Sequence, residues 1–482
     1  MKNHPVASTL VLVLVLVLLL TLVSCSAAQL ENPVGERQQI DLIVEGDYIV
    51  SMDATDSIIT GGAVAVNDGL IIDIGASEDI RLRYQAAQVL GGGNRIVLPG
   101  LINGHSHAAM TLLRGIADDL SLFEWLNDYI FPAEVAFVDE TFVRIGTELA
   151  CWEMIRGGTT TFVDMYYFPD TIAEVVESCG MRALVSATVI DQPSPDAQSA
   201  VDSLTKGRTF IERWQNRNNR ITPIFGPHAI YTLSPEQLKS TREAARDLGV
   251  PISIHVSESP FELKYTKDTY DMTSVSLLES IGFLDGPTIA AHMVWPNAAD
   301  IEVLAERKVG VIYNPTSNMK TAAGVSPVSA MLEAGVKVGL GTDGAASNND
   351  LDMWEEMRLA ALLQKVSNMN PEVLPARKVL AMATRDGAAA IGLADEIGSL
   401  EIGKRADMIL VSFDDVHHLP TYDVISHLVY VTDEQDVESV IVEGRVLMKE
   451  REILTIDTDR VRLQASELGA KIQAALAQGL KE

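Results

Sequence analysis

The stretch Pro99-Gly-Leu-Ile-Asn-Gly-His-Ser-His107 places two imidazoles one residue apart at the end of an apolar run. Side chains at i and i+2 of a strand point to the same face, so His105 and His107 can converge on one ion. That spacing supplies half of a metal site. A chance pair of surface histidines is the competing reading of a bare HxH, so the other ligands must come from elsewhere in the chain.

Working outward, eight β-rich runs occur between residues 96 and 342, at 96–101, 159–164, 183–190, 221–225, 251–255, 288–292, 309–313 and 336–342. Most are followed by helix-like stretches, such as 235–247 and 350–365. Eight alternating βα units predict an α/β fold, a (β/α)8 TIM-like barrel whose chemistry gathers at the C-terminal ends of the strands. Short strands flank it on both sides. The pair at 63–66 and 70–74 is separated by Asn67, Asp68 and Gly69, and runs at 437–442 and 445–448 meet at Glu443 and Gly444. A small β-sandwich built from both ends of the chain is expected, with a last helix over 457–480 packing across it. The expected organisation is a signal at 1–24, a linker at 25–37, sandwich strands at 38–95, the barrel at 96–395, further sandwich strands at 396–455 and the terminal helix at 456–482.

The 482 residues are 47% hydrophobic, ample for a large core. The formal net charge of −29 repels phosphate backbones and argues against nucleic acid as a partner. The substrate should be small and not polyanionic. Residues 10–23 form an almost unbroken Leu/Val run ending before Ser24 and Cys25, like a bacterial lipoprotein signal whose cysteine is lipidated. The run is shorter than the roughly 20 residues that span a bilayer. It predicts an envelope protein anchored by lipid at Cys25 on the periplasmic side, with the outer membrane preferred because Ser26 is not the aspartate of inner-membrane retention. Cys151 and Cys179 read as buried free thiols.

Five of the nine histidines fall at barrel-strand ends: His105 and His107 at the first strand, then His228, His255 and His292, with Asp343 after the eighth. His4, His417, His418 and His427 receive no role. Three neutral imidazoles and a carboxylate suit one borderline ion such as Zn²⁺, so His105, His107, His255 and Asp343 are the expected ligands. A two-metal version would need a bridging carboxylate or lysine near strand four, and the segment Gly-Pro-His-Ala-Ile-Tyr-Thr at 226–232 has neither. Glu258, three residues past His255, sits where partial burial would raise its pKa and let it shuttle protons. His292 and Asp343 are expected to take a proton from the attacking water.

Segments LPGLINGHSHAAMTLLRGIADDLSLFEWL, ACWEMIRGGTTTFVDMY, HVSES, NPTSNMK and GLGTDGAASNNDLDMWEEMRLAALLQK occur in this order. With them the chain resembles the amidohydrolase superfamily and, within it, the 5-methylthioadenosine/S-adenosylhomocysteine deaminases, from about Asp41 to Met448. The resemblance implies one zinc or other divalent ion on the four ligands above, and hydrolytic deamination of an adenine nucleoside to its inosine analogue. It implies further that Glu134 holds the ribose hydroxyls and that His228 and Glu258 contact the purine, with Trp125 available to line the pocket. A homo-oligomer is compatible with it. The stretch at 186–198 departs from relatives that bind the amino-acid tail of S-adenosylhomocysteine through arginines, because it contains none, and Arg182 and Arg208 only flank it. Methylthioadenosine or adenosine is therefore favoured. Alternatives are an amidohydrolase acting on guanine or a triazine, and an anchored lipoprotein that binds nucleosides without turnover.

Overall fold

The computed structural model describes residues 37–477; the apolar run at 10–23 and Cys25, on which the signal and lipidation expectations rest, lie outside the described residues. Four strands open the described chain: β1 (Gln38–Val50), β2 (Ile58–Asn67), β3 (Leu70–Ala76) and β4 (Tyr84–Pro99). Eight more follow: β5 (Leu101–Ser106), β6 (Thr159–Tyr166), β7 (Arg182–Val189), β8 (Ile221–Pro227), β9 (Ile252–Val256), β10 (Thr288–His292), β11 (Gly310–Tyr313) and β12 (Lys337–Leu340). The last four are β13 (Met408–Ser412), β14 (Val437–Val442), β15 (Arg445–Lys449) and β16 (Glu452–Ile453).

Strands β5 to β12 form one parallel sheet in sequence order. Its two edges approach where the Asp343 backbone N–H donates to the His105 carbonyl at 3.0 Å, so the sheet nearly closes into the expected (β/α)8 barrel. Every residue of β5, β6, β9, β10 and β11 is buried, as a strand covered on both faces requires.

The remaining strands, drawn from both ends of the chain, make one sheet in the order β16-β15-β14-β13-β4-β1-β2-β3. It folds over a shared core that includes Val44, Val64, Val97, Met408 and Ile441. Both expected hairpin turns are present: Asp68 and Gly69 have φ of 51° and 76°, and Glu443 and Gly444 have 49° and 74°. Positive φ at both central residues marks the turn type whose twist suits adjacent strands.

Two expectations need correction. The run at 96–101 is not one barrel strand: β4 runs through Pro99 and pairs antiparallel with β13, and the barrel starts afresh at Leu101. Hydropathy shows no break because Leu98 and Leu101 are both fully buried, one in each sheet. Gly100 makes the passage, since a Cβ there would lie 2.1 Å from the Thr160 hydroxyl. The terminal helix, Thr458–Ala477, packs against the outer barrel helix Glu140–Arg156 and not across the two-ended sheet. Arg460 pairs with Glu148 at 2.9 Å and Arg462 lies over the Trp152 ring at 5.3 Å, while Val461 and Ile472 are the buried residues of that face.

Barrel and sheet are bolted together at the end of the barrel opposite the histidines. Arg182 begins β7 and meets Asp407, just before β13, through Nε to Oδ2 at 2.8 Å and Nη2 to Oδ1 at 3.2 Å. Both side chains are buried, at 3% and 2% exposure. Asp407 Oδ1 also accepts the Glu443 N–H at 2.7 Å, and Arg182 Nη1 donates to the Asn219 carbonyl at 3.0 Å. Removing one partner strands the other charge in a site without water. We expect Arg182→Met to cost about 3 to 5 kcal/mol, read from the urea midpoint by circular dichroism. The Arg182→Met/Asp407→Leu double variant should recover part of that loss, and an undiminished loss would rule out a stranded carboxylate as its cause.

Candidate active site

The sequence-predicted polar residues meet at the C-terminal mouth of the barrel. His105 lies in β5 and His107 just beyond it, His228 follows β8, His255 lies in β9, His292 ends β10 and Asp343 follows β12. Left-handed backbone accompanies several of these positions: φ is 73° at His292, 65° at Asp343 and 54° at Ser257. Such conformations are costly for residues with a Cβ and cluster where a strand must redirect a side chain into a site.

Four donor atoms converge. His255 Nε2 lies 3.1 Å from His105 Nε2 and 3.4 Å from His107 Nε2. Asp343 Oδ1 lies 3.3 Å from His105 Nε2 and 3.1 Å from His107 Nε2. The edges of a tetrahedron about an ion 2.0–2.1 Å from each donor are about 3.3 Å long, and these four separations match that length. Three of the four ligands are aimed by a second contact. His107 Nδ1 donates to the Met165 carbonyl at 2.6 Å and His255 Nδ1 to the His228 carbonyl at 2.7 Å. A carbonyl only accepts, so both rings donate from Nδ1 and turn Nε2 inward. Asp343 Oδ2 accepts from the hydroxyls of Ser317 at 2.7 Å and Ser347 at 2.9 Å, and Oδ1 from the Gly344 N–H at 2.8 Å.

The proton affinities agree with a site for positive charge. Burial works to lower His107, but the hydrogen bond and charge of Asp343 outweigh it and raise the ring to about 9. Burial lowers His105 to about 4 and His228 to about 3. Burial would raise Asp343, yet its contacts with His105 and His107 hold it well below the carboxylate range.

Glu258 is buried at 6% exposure, and its Oε1 lies 3.7 Å from His292 Nε2. Burial raises its pKa to about 7, with His292 opposing and Asp343 reinforcing the shift. His292 Nδ1 contacts Asn318 Oδ1 at 2.9 Å; the amide oxygen accepts, so in the neutral ring the proton sits on Nδ1 and Nε2 is left as the acceptor. Glu134, in the helix Phe131–Phe137, is 4% exposed and accepts the Tyr167 hydroxyl at 3.2 Å. Burial raises it too, to about 7, against the pull of Tyr166, His107 and Tyr167. Trp125 opens a turn of π-helix at Trp125–Ile130, a backbone defect found at functional sites.

These groups face one cavity, lined also by Leu122, Phe131, Met165, Tyr166 and Tyr231. No arginine or lysine lines it among the described residues. Arg182 is spent on Asp407 at the other end of the barrel, and Arg208 pairs with Asp247 at 3.5 Å on the surface.

Glu262 and the tyrosines escaped the sequence reading. The Glu262 carboxylate accepts the N–H groups of Ser257 at 2.8 Å and Glu258 at 3.0 Å and the Ser274 hydroxyl at 2.6 Å, pinning the loop that carries Glu258. Tyr166 and Tyr167 stand at the C-terminal end of β6, a position that itself could have marked them.

Residues 96–447 match the model of the Amidohydrolase family. A 5'-deoxyadenosine deaminase of Methanosarcina mazei is 45% identical over 90% of this chain and 99% of its own length. A 5-methylthioadenosine/S-adenosylhomocysteine deaminase of Carboxydothermus hydrogenoformans is 44% identical over 87% of this chain and 94% of its own. A solved structure of an adenosine deaminase from Xanthomonas campestris with bound zinc superposes with a TM-score of 0.88 at 35% identity, over 91% of this chain and 100% of that one. The expected placement in the cell envelope is corrected here. The similarity to these deaminases supplies no lipid anchor, and no helix among the described residues is long and apolar enough to cross a membrane. From the barrel, the donor cluster at its mouth and a match that spans most of the sequence, the chain is a member of the amidohydrolase family.

Proposed function

We propose that this chain is a hydrolase of cyclic amidine C–N bonds that deaminates adenine nucleosides to the inosine analogue and ammonia. The observation that carries the reading is a buried carboxyl, Glu258, poised near neutrality beside the four-donor cluster in a cavity that Glu134, His228 and Trp125 also line. The names of the similar proteins agree with it. We assign His105, His107, His255 and Asp343 as holders of one divalent ion, with Zn²⁺ favoured by three imidazoles and a carboxylate. When bound, such an ion lowers the pKa of a coordinated water toward neutrality.

The residues divide the remaining work. Glu258 gives its proton to the ring nitrogen next to the amine-bearing carbon, making that carbon electrophilic. Asp343 and the bare Nε2 of His292 accept the proton of the attacking water as its oxygen bonds to that carbon. Asp343 passes this proton to the amine, the C–N bond breaks and ammonia leaves, while Glu258, left as carboxylate, takes up the remaining hydroxyl proton as the ring oxo group forms. Glu134 accepts the ribose hydroxyls, His228 meets the purine as a neutral ring, and Trp125 covers the nucleoside. A free guanine or triazine carries no ribose hydroxyl to satisfy buried Glu134, which argues against those substrates. A binding protein without turnover would have no use for a proton-shuttling Glu258.

A cavity wall without arginine or lysine sets the finer preference. An amino-acid tail at the 5′ position would bring a carboxylate that no guanidinium or ammonium there matches. We expect kcat/KM for 5-methylthioadenosine and 5'-deoxyadenosine to exceed that for S-adenosylhomocysteine by roughly tenfold or more, measured as ammonia release. Equal values would defeat this preference, and no release from any purine nucleoside would defeat the assignment. Glu258→Gln should lower kcat by about 10²-fold or more while metal content stays at the parent level, since a general acid contributes at that scale. Full activity in that variant would remove Glu258 from the proton path.

Glu134 adds a pH dependence. Burial raises its folded pKa from 4.5 to about 7, so it is carboxylate above that pH and neutral below. Only the carboxylate accepts two hydroxyls. KM for the nucleoside should therefore rise as pH falls from 8 toward 6, and Glu134→Gln should flatten that rise at a uniformly higher KM. A KM that is flat with pH in the parent enzyme would contradict the ribose contact.

A further inference from the structure

We propose a second transition-metal site, held by His417, His418 and Asp436, that shares no residue with the cavity at the barrel mouth. His417 and His418 lie in a short turn, Val416–His418, that follows β13, and Asp436 ends the turn Glu434–Asp436 that leads into β14. The segments are adjacent in space because β13 and β14 pair antiparallel. One ligand-capable atom from each residue lies within 4.8 Å of the others.

The spacing repeats that of the first cluster. His417 Nε2 is 3.1 Å from Asp436 Oδ1 and 3.0 Å from Oδ2, and His418 Nε2 is 3.2 Å from Asp436 Oδ2. These are lengths at which donors sit around one ion of about 2.0–2.1 Å bond length. An ordinary hydrogen bond explains His417 alone. The His418 side chain is fully buried, and neither of its ring nitrogens has a hydrogen-bond partner, although Nε2 stands so near the carboxylate. A neutral imidazole carries a proton on one nitrogen and a lone pair on the other, and leaving both buried without partners is unfavourable. A shared cation gives Nε2 a partner and explains why it approaches Asp436 outside hydrogen-bond geometry.

The donors are held in place. The Asp433 N–H fixes Asp436 Oδ2 at 2.9 Å, His418 stacks on Phe413 with ring centroids 4.0 Å apart, and the His418 carbonyl accepts the Thr421 hydroxyl at 2.7 Å. His417 is 37% exposed, which leaves an entry path and room for solvent to complete the coordination. Two imidazoles with one carboxylate select Zn²⁺, Co²⁺, Ni²⁺ or Cu²⁺ over Mg²⁺ and Ca²⁺, which prefer all-oxygen shells. A net charge of −29 draws cations to the chain. An ion here would clamp the exit of β13 to the entry of β14.

The test counts zinc. The purified full-length protein is stripped with chelator, equilibrated with Zn²⁺, freed of unbound metal and measured by mass spectrometry. His417→Ala should hold one zinc fewer per chain than the parent and keep its deaminase turnover. Asp436→Asn should lose the same ion. In an Asp343→Asn background, where the barrel cluster is crippled, saturating Zn²⁺ should still raise Tm by roughly 3 °C, and adding His417→Ala should abolish the rise. Equal zinc content in the parent and His417→Ala, or a Tm rise that survives His417→Ala, would overturn the site. Because these readouts do not use turnover, they stand or fall apart from the deaminase assignment.

Discussion

Three imidazole Nε2 atoms and a carboxylate oxygen, with His255 at 3.1 and 3.4 Å from His105 and His107 and Asp343 at 3.3 and 3.1 Å from the same two, are the constraint on which the mouth of the barrel depends. Lone pairs that close repel unless positive charge sits among them. The barrel imposes the arrangement by bringing side chains from β5, β9 and the loop after β12 to a single point, although they are far apart in sequence. The carbonyls of Met165 and His228 and the hydroxyls of Ser317 and Ser347 then remove the rotational freedom that would let the donors turn away. Part of the cost is visible in the backbone, in the left-handed φ of His292 and Asp343.

Such a site needs a rigid frame, and the frame is anchored at its opposite end. Arg182 and Asp407 join barrel to two-ended sheet within a buried region, and Asp407 also receives the N–H of Glu443 from the β14–β15 turn. One carboxylate thus fixes a barrel strand and a hairpin of the other module together. The same economy uses up Arg182, a residue that sequence position alone would leave available to a substrate carboxylate.

Much of this was legible in the chain. The eight parallel strands carry continuous apolar runs because both their faces are covered, and the histidines and Asp343 stand out at their polar ends. What escaped has physical reasons. The split at Gly100 hides because hydropathy measures burial and not which sheet does the burying. The terminal helix has one apolar stripe that suits either neighbour, and its partner is decided by Glu148 and Trp152, which no local pattern reveals. Glu262 looks like a helix-start acid in sequence; only the turn at Ser257, with φ of 54°, aims two backbone N–H groups at its carboxylate. The pairing of His418 with Asp436 depends on strand register, so the two histidines there gave no sign of a shared purpose.

Glu258 and Glu134 pose the last chemical question, since both are pushed to about 7 by burial in the same cavity yet the proposed reaction needs the first protonated and the second ionised. Their surroundings already differ. Glu258 faces the negative Asp343, which favours keeping its proton, whereas Glu134 is met by the hydroxyls of Tyr166 and Tyr167, which favour releasing it. In the proposed function a nucleoside would widen the difference. Its ribose hydroxyls would donate to Glu134 and stabilise the carboxylate, while its ring nitrogen would offer Glu258 an acceptor that only the protonated acid can use. Environments that drive two like groups apart are the usual means by which one cavity runs acid and base chemistry at one pH. Here the substrate completes that separation, so the charge state suited to the reaction is reached only when a ribose and an adenine ring are bound together.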